Sequence, residues 1–178
     1  MIELIILDVD GVLTDGRKFY DRSGAVISKT FCDKDWTVIK RFKALGIPVV
    51  FLTGDEYNRQ ILENRNLPVY VNRGKGFHSD KSNFLTEILT QYNATADKTL
   101  YVGDDLFDIG IMKLVGYPFC VADSPAMVQK YASRLISKGG ENCLIELFEI
   151  LEEEELIPRV SFDDIINIIY ELDIKETF

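Results

Sequence analysis

At 178 residues the chain is long enough to bury one sizeable core and short for two, and nearly half of it is apolar. Its formal charge of −9 excludes a nucleic-acid surface, which needs a basic patch, and no uninterrupted apolar stretch approaches a membrane span. The N-terminus lacks the basic region of a signal peptide, and Cys32, Cys120 and Cys143 show no zinc-site spacing, so a soluble, cytoplasmic protein with reduced thiols is expected.

In chain order, residues 2–7 form a near-continuous apolar run, the pattern of a strand buried on both faces of a parallel sheet. Asp8-Val9-Asp10-Gly11 follows where that strand emerges, and side chains two apart on extended chain point the same way, so Asp8 and Asp10 can converge on one ligand. A turn built of ordinary Asp and Gly residues would read the same in isolation. Residues 17–31, centred on Asp21-Arg22-Ser23-Gly24, read as a β-hairpin inserted directly after the acid pair. Residues 48–52, 69–71, 99–102, 119–122 and 135–136 read as further strands, with helices over 37–45, 56–64, 82–92 and 106–115. Ser124-Pro125 reads as a helix start. From residue 152 an acidic run and a Pro158 break lead into a helical extension, opened by Ser161 with Asp164 as a capping box and carrying Ile165, Ile168, Ile169 and Leu172 on one face. The alternation predicts one α/β domain over residues 1–178, a doubly wound and mainly parallel sheet with a short hairpin flap at 17–31, a C-terminal extension at 152–178 and no large cap domain.

Ligands of such sheets bind outside the carboxyl ends of the strands, and chemistry-bearing residues recur there. Thr53-Gly54 follows the second strand, where a hydroxyl and a helix N-terminus can hold a phosphate oxygen. A glycine-rich loop, residues 72–80, leads to Lys81 at a helix start, where the dipole disfavours a lysine, so that this one has another purpose. His78 within the loop has no partner at ligand spacing and reads as a loop or substrate-rim residue. Gly103-Asp104-Asp105 and Asp108 follow the fourth strand. In phosphoryl transfer one acid of the Asp8 and Asp10 pair would attack phosphorus and the other would protonate the leaving alkoxide and deprotonate water, and Mg²⁺ would bridge Asp8, the Asp10 backbone carbonyl, Asp104 and the phosphate. Thr53, Gly54 and Lys81 would bind the phosphate, with Asp105 and Asp108 in support, Asp105 by orienting Lys81.

This ordered set resembles the haloacid dehalogenase superfamily over roughly residues 2–150. Asp8 to Gly16 is similar to its first motif, Thr53 to the second, Lys81 to the third, and Gly103-Asp104-Asp105 with Asp108 to the fourth. Val12-Leu13-Thr14-Asp15-Gly16, the hairpin with Phe19-Tyr20-Asp21, Phe31 before Asp35, and Lys138-Gly139-Gly140 resemble the small capless branch of 3-deoxy-D-manno-octulosonate 8-phosphate and acylneuraminate 9-phosphate phosphatases. The resemblance implies Asp8 as the nucleophile and Asp10 as the acid and base, a phosphorylated sugar acid as substrate and a homotetramer. It also marks Asp35, Asp55 and Glu141 as specificity candidates, since the octulosonate enzymes carry arginine at the last two places and acids there look more like the nine-carbon group. Asp35 and Asp55 fit equally well as helix N-terminal acids. Two other classes stand beside this reading: a phosphoacceptor signalling domain, which would not need Asp10, and a non-catalytic module like those fused to cytidylyltransferases, which would be expected to lose Asp8 or Asp10.

Overall fold

The computed structural model describes residues 1–74 and 77–175. In chain order its strands and α-helices are β1 (Leu4–Leu7), β2 (Phe19–Tyr20), β3 (Val26–Ser28), α1 (Asp33–Ala44), β4 (Val49–Thr53), α2 (Glu56–Glu63), β5 (Val69–Val71), β6 (Arg73–Gly74), β7 (Phe77–His78), α3 (Leu85–Tyr92), β8 (Thr99–Gly103), α4 (Ile109–Met112), β9 (Tyr117–Val121), β10 (Arg134–Ile136), α5 (Cys143–Glu153) and α6 (Phe162–Lys175). Six strands form a parallel sheet in the order β10-β9-β8-β1-β4-β5, while β2–β3 and β6–β7 are small antiparallel hairpins. No helix among the described residues is long and apolar enough to cross a membrane.

The apolar runs fit this sheet because alternate residues feed two separate layers. Ile5, Leu7, Val49, Phe51, Leu100, Val102, Phe119 and Val121 face α1 and α5, packing on Trp36, Ile39, Phe42, Leu144, Leu147 and Phe148. Leu4, Ile6, Val50, Leu52, Tyr101 and Cys120 face α3 and α4, packing on Leu85, Ile88, Ile111 and Met112. The chain winds outward from β1 through β4 to β5, then returns to β8 on the other side of β1 and continues to β9 and β10. The order therefore reverses at β1, which puts Asp8 at the switch point where such sheets bind ligands.

Several elements differ from the expected pattern for local reasons. Residues 106–115 begin as a 3₁₀ turn, Leu106–Asp108, because the Asp108 carboxylate folds back onto the amides of Asp104 and Asp105; only Ile109–Met112 is α-helical. Residues 82–92 likewise open with a 3₁₀ segment, Lys81–Phe84. No α-helix starts at Ser124-Pro125: the amides of Val128 and Gln129 both donate to the Pro125 carbonyl for one turn, and the Ser133 amide then donates to Pro118 as the chain returns to the sheet. α5 was given no element in the sequence reading, although Leu144, Leu147, Phe148 and Leu151 repeat at helical spacing and are fully buried. α6 does open on Ser161, whose hydroxyl accepts from the Asp164 amide (3.2 Å) and donates to its carboxylate (2.7 Å). The helix packs on α1 through Ile165 and Ile169, whereas Ile168 is exposed rather than part of the packed face.

Candidate active site

The ends of β1, β4, β5 and β8 surround a pocket of about 460 Å³ lined by Asp8, Asp10, Gly11, Gly16, Lys18, Tyr20, Gly54, Asp55, Asn72, Arg73, Lys81, Asp104, Asp105 and Phe107. Asp8 extends the pairing of β1, its amide donating to the Val102 carbonyl (2.9 Å). One carboxylate oxygen accepts from the Val9 amide (2.7 Å) and the other meets the Lys81 ammonium (2.7 Å). Lys81 is buried and also contacts Asp108 (2.6 Å). Burial opposes its charge, but Asp108 and Asp8 outweigh that and hold the lysine charged well above its ordinary range.

It is Asp108, and not Asp105, that orients Lys81. Asp108 Oδ1 accepts from Lys81 and from the Tyr101 hydroxyl (2.6 Å), and Oδ2 accepts from the amides of Asp104 and Asp105 (2.8 and 2.9 Å). Both oxygens are thus engaged in holding the loop. Asp105 caps its own turn through the Leu106 amide (2.6 Å). Gly103 lets Asp108 fold back, since a Cβ there would lie 2.5 Å from its carboxyl carbon.

Asp8, Asp104 and Asp108 each offer a carboxylate oxygen within 4.8 Å of the others. Burial, with the neighbouring carboxylates, pushes Asp104 up to about 9, and burial raises Asp8 to about 7 against the pull of Lys81. With both Asp108 oxygens already engaged, Asp8 and Asp104 are the hard oxygen donors left for a divalent cation, whose charge would relieve the repulsion. Gly11, at φ +80°, makes room for this arrangement: a Cβ there would fall 2.0 Å from Asp104 Oδ2.

Across the pocket, a second group of charges was not anticipated from sequence. The Lys29 side chain is fully buried, and its ammonium reaches both oxygens of Asp10 (2.7 and 2.8 Å), Asp55 Oδ2 (2.8 Å) and Asn58 Oδ1 (2.7 Å). Lys18 joins Asp55 (2.7 Å) and Asp10 (3.3 Å). Asn58 donates to Asp10 Oδ2 (3.2 Å) and to Thr53 Oγ1 (2.8 Å). Thr53 is buried behind Gly54, with its oxygen accepting from Asn58 and the Asp55 amide (3.3 Å) and its O–H left to donate. The only sequence cue to the lysines was two cations on the hairpin next to an acid pair, and that spacing is unremarkable until the hairpin folds back.

The specificity candidates separate. Asp55 both caps α2, through the Tyr57 amide (3.0 Å), and lines the pocket. Burial would raise its pKa, but hydrogen bonds from Lys18 and Lys29 prevail and hold it well below the usual carboxylate range. Asp35 lies outside the pocket, buried in the first turn of α1 with one oxygen accepting from the Leu144 amide (3.2 Å). Glu141 is exposed and also outside the lining. Trp36 packs against Phe31, ring centroids 5.4 Å apart. Residues 75 and 76 of the glycine-rich loop, and the side chain of His78, lie outside the described residues.

A parallel sheet whose switch-point strand delivers a buried aspartate to a lysine and a second carboxylate is the arrangement of a phosphoryl-transfer site. Residues 77–148 match the haloacid dehalogenase-like hydrolase family. The 3-deoxy-D-manno-octulosonate 8-phosphate phosphatase of Haemophilus influenzae is 32% identical over 151 residues, covering 84% of this chain and 82% of the relative. The structure of the cobalt-bound Haemophilus influenzae phosphatase superposes with a TM-score of 0.77 at 29% identity, covering 86% of this chain and 90% of that one. That of the Moraxella catarrhalis phosphatase, in complex with magnesium, phosphate and KDO, superposes at 0.75 over 85% of this chain and 86% of that one; at 22% identity the likeness is one of fold. The chain belongs to the haloacid dehalogenase-like hydrolases, in the capless branch that contains these phosphatases.

Proposed function

We propose that the chain is a Mg²⁺-dependent phosphatase of a phosphorylated sugar acid, working through an aspartyl phosphate on Asp8. The observation that carries this is the meeting of Asp8, Lys81 and Asp104 at the end of β1. Asp8 has one oxygen aimed by the Val9 amide and one by Lys81, so it is pre-oriented to attack phosphorus. As the phosphorus–oxygen bond to the sugar breaks, Asp10 gives a proton to the departing alkoxide. It then takes one from the water that cleaves the aspartyl phosphate. Lys81, the Thr53 hydroxyl and the Gly54 amide bind the equatorial oxygens, where charge lies in the transition state. A Mg²⁺ ion bound by Asp8, the Asp10 carbonyl and Asp104 supplies charge neutralisation and alignment of the phosphate.

The named relatives act on an eight-carbon sugar acid phosphate. Here Asp55 occupies the pocket wall paired with two lysines, so a substrate hydroxyl or ammonium group can share its oxygens while Lys18 faces an incoming acid. This pattern supports a nine-carbon sugar acid phosphate, of the acylneuraminate type, over octulosonate 8-phosphate. The active form is an oligomer, a tetramer in our reading, because the hairpin leaves Phe19, Tyr20 and Ile27 exposed beside the pocket.

Phosphate release from a panel of eight- and nine-carbon sugar acid phosphates with Mg²⁺ tests the reading. Asp8→Asn is expected to retain the fold and lose turnover, and the parent enzyme to lose it in excess chelator. Turnover persisting in either case refutes the mechanism, and a clear lead for the eight-carbon substrate refutes the nine-carbon assignment.

A further inference from the structure

We propose that Lys29 is a positioning residue for Asp10, tying proton transfer at the leaving group to the seating of the hairpin. The inference rests on the reading of Asp10 as the acid and base. Asp10 stands on a half-buried turn, and the terminal torsion of an aspartate is soft, so nothing intrinsic fixes the plane of its carboxylate. The surrounding contacts fix it: Lys29 Nζ lies 2.7 Å from one oxygen and 2.8 Å from the other, with Asn58 Nδ2 (3.2 Å) and Lys18 Nζ (3.3 Å) at Oδ2 and the Thr14 hydroxyl more distant from Oδ1 (3.4 Å), so that Lys29 alone meets both oxygens. Lys29 stands at the end of β3, so this grip exists only when the hairpin is folded onto the pocket.

A lysine serving only to anchor the hairpin would be satisfied by Asp55 and Asn58. Lys29 goes further by meeting both oxygens of the one carboxylate that must face the scissile bond. An ammonium has three N–H groups, and here it has four acceptor atoms within reach. One Asp10 oxygen can therefore be released to carry the proton while Lys29 stays satisfied by the other oxygen, Asp55 and Asn58. The chemistry is unchanged: Asp8 bonds to phosphorus, the sugar alkoxide leaves, and the proton passes from Asp10 to that alkoxide. Lys29 decides which way the proton donor points.

The readout is sensitivity to the leaving group. A sugar alkoxide must be protonated as it departs, whereas nitrophenolate is stable as an anion, and kcat/KM reports only the steps through departure of the alcohol. In Lys29→Met, kcat/KM for the sugar acid phosphate that the parent enzyme turns over best in the eight- and nine-carbon panel is expected to fall relative to that for p-nitrophenyl phosphate by on the order of 10²-fold. Asn58→Ala, which loosens the same carboxylate while leaving the hairpin lysine in place, is expected to shift the ratio in the same direction and serves if Lys29→Met does not fold. Its lost contact with Thr53 affects phosphate binding, which the two substrates share, and so leaves the ratio alone. An equal loss on both substrates, or no loss, in the folded variants overturns the proposal. Asp10→Asn separates the two levels: if it leaves the ratio unchanged, the acid–base reading falls and this proposal with it. If it shifts the ratio and Lys29→Met does not, the proposal alone falls.

Discussion

Asp35 shows how a residue buried away from the pocket can set a pH dependence. Burial raises its pKa from the ordinary 3.8 to about 6, and its second oxygen has no hydrogen-bond partner. The fold keeps that proton up to about pH 6 while an unfolded chain releases it near 3.8. Between these values the unfolded state binds fewer protons, so stability falls as pH rises and the loss is complete above about 6. Asp35→Asn keeps an acceptor for the Leu144 amide and does not ionise. Denaturant unfolding is expected to find it more stable than the parent at pH 8, by on the order of 3 kcal/mol at about 1.4 kcal/mol per unit of displacement, and no more stable at pH 3. Equal stability at both pH values would mean that the carboxylate is solvated in the fold.

At the scale of elements, the loop after β1 is held from behind by a segment far along the chain. The Gly140 amide donates to the Val12 carbonyl (2.8 Å), and a Cβ on Gly139 would sit 1.8 Å from the Gly11 carbonyl oxygen. Gly139→Ala therefore has to displace the loop that carries Asp10 and Gly11 relative to the segment behind it. A displacement near an ångström costs about 10²-fold in rate, so kcat is expected to fall by that order with the circular-dichroism spectrum unchanged. A normal rate would show that the loop moves without moving the carboxylates. The strands were legible because β1, β4 and β8 are buried on both faces, and burial writes itself as an unbroken apolar run. Residues at strand ends were legible for the same reason, so Asp8, Thr53, Lys81 and Asp104 could be named as candidates before their distances were known. Helix limits and the roles of Asp105 and Asp108 were not, because they turn on which carboxylate folds back to which amide. Lys29 was invisible for a stronger reason: its partners, Asp10 after β1 and the Asp55 and Asn58 pair at the start of α2, come from two segments separate from its own. Which of its two readings Asp35 follows was not legible, because an acid in the first turn of a helix has the same local pattern whether the helix end faces ligand or core.

On the scale of the whole molecule, the β2–β3 hairpin is the least self-sufficient part. It has strands of two and three residues, and Phe19, Tyr20 and Ile27 are each more than half exposed. Two-stranded hairpins are marginal in water, and pairing between copies would cover these side chains and remove free strand edges. Light scattering is expected to give an assembly larger than a monomer, and deletion of residues 19–28 to dissociate it and to depress turnover of the sugar phosphate. A fully active monomer at assay concentration would exclude a roof built by neighbouring copies. The central place of β1 bears also on synthesis. Its sheet partners are β4 and β8, and its following loop is closed by Gly139 and Gly140, so Asp8 leaves the ribosome long before anything that encloses it. Until β8 has emerged the nascent chain keeps an unpaired edge on the apolar β1, a state prone to capture by chaperones or by other chains, and until residue 140 has emerged the loop after β1 is not closed. A release of the chain short of that point would yield a product that contains every motif up to Asp108 and still has no closed site.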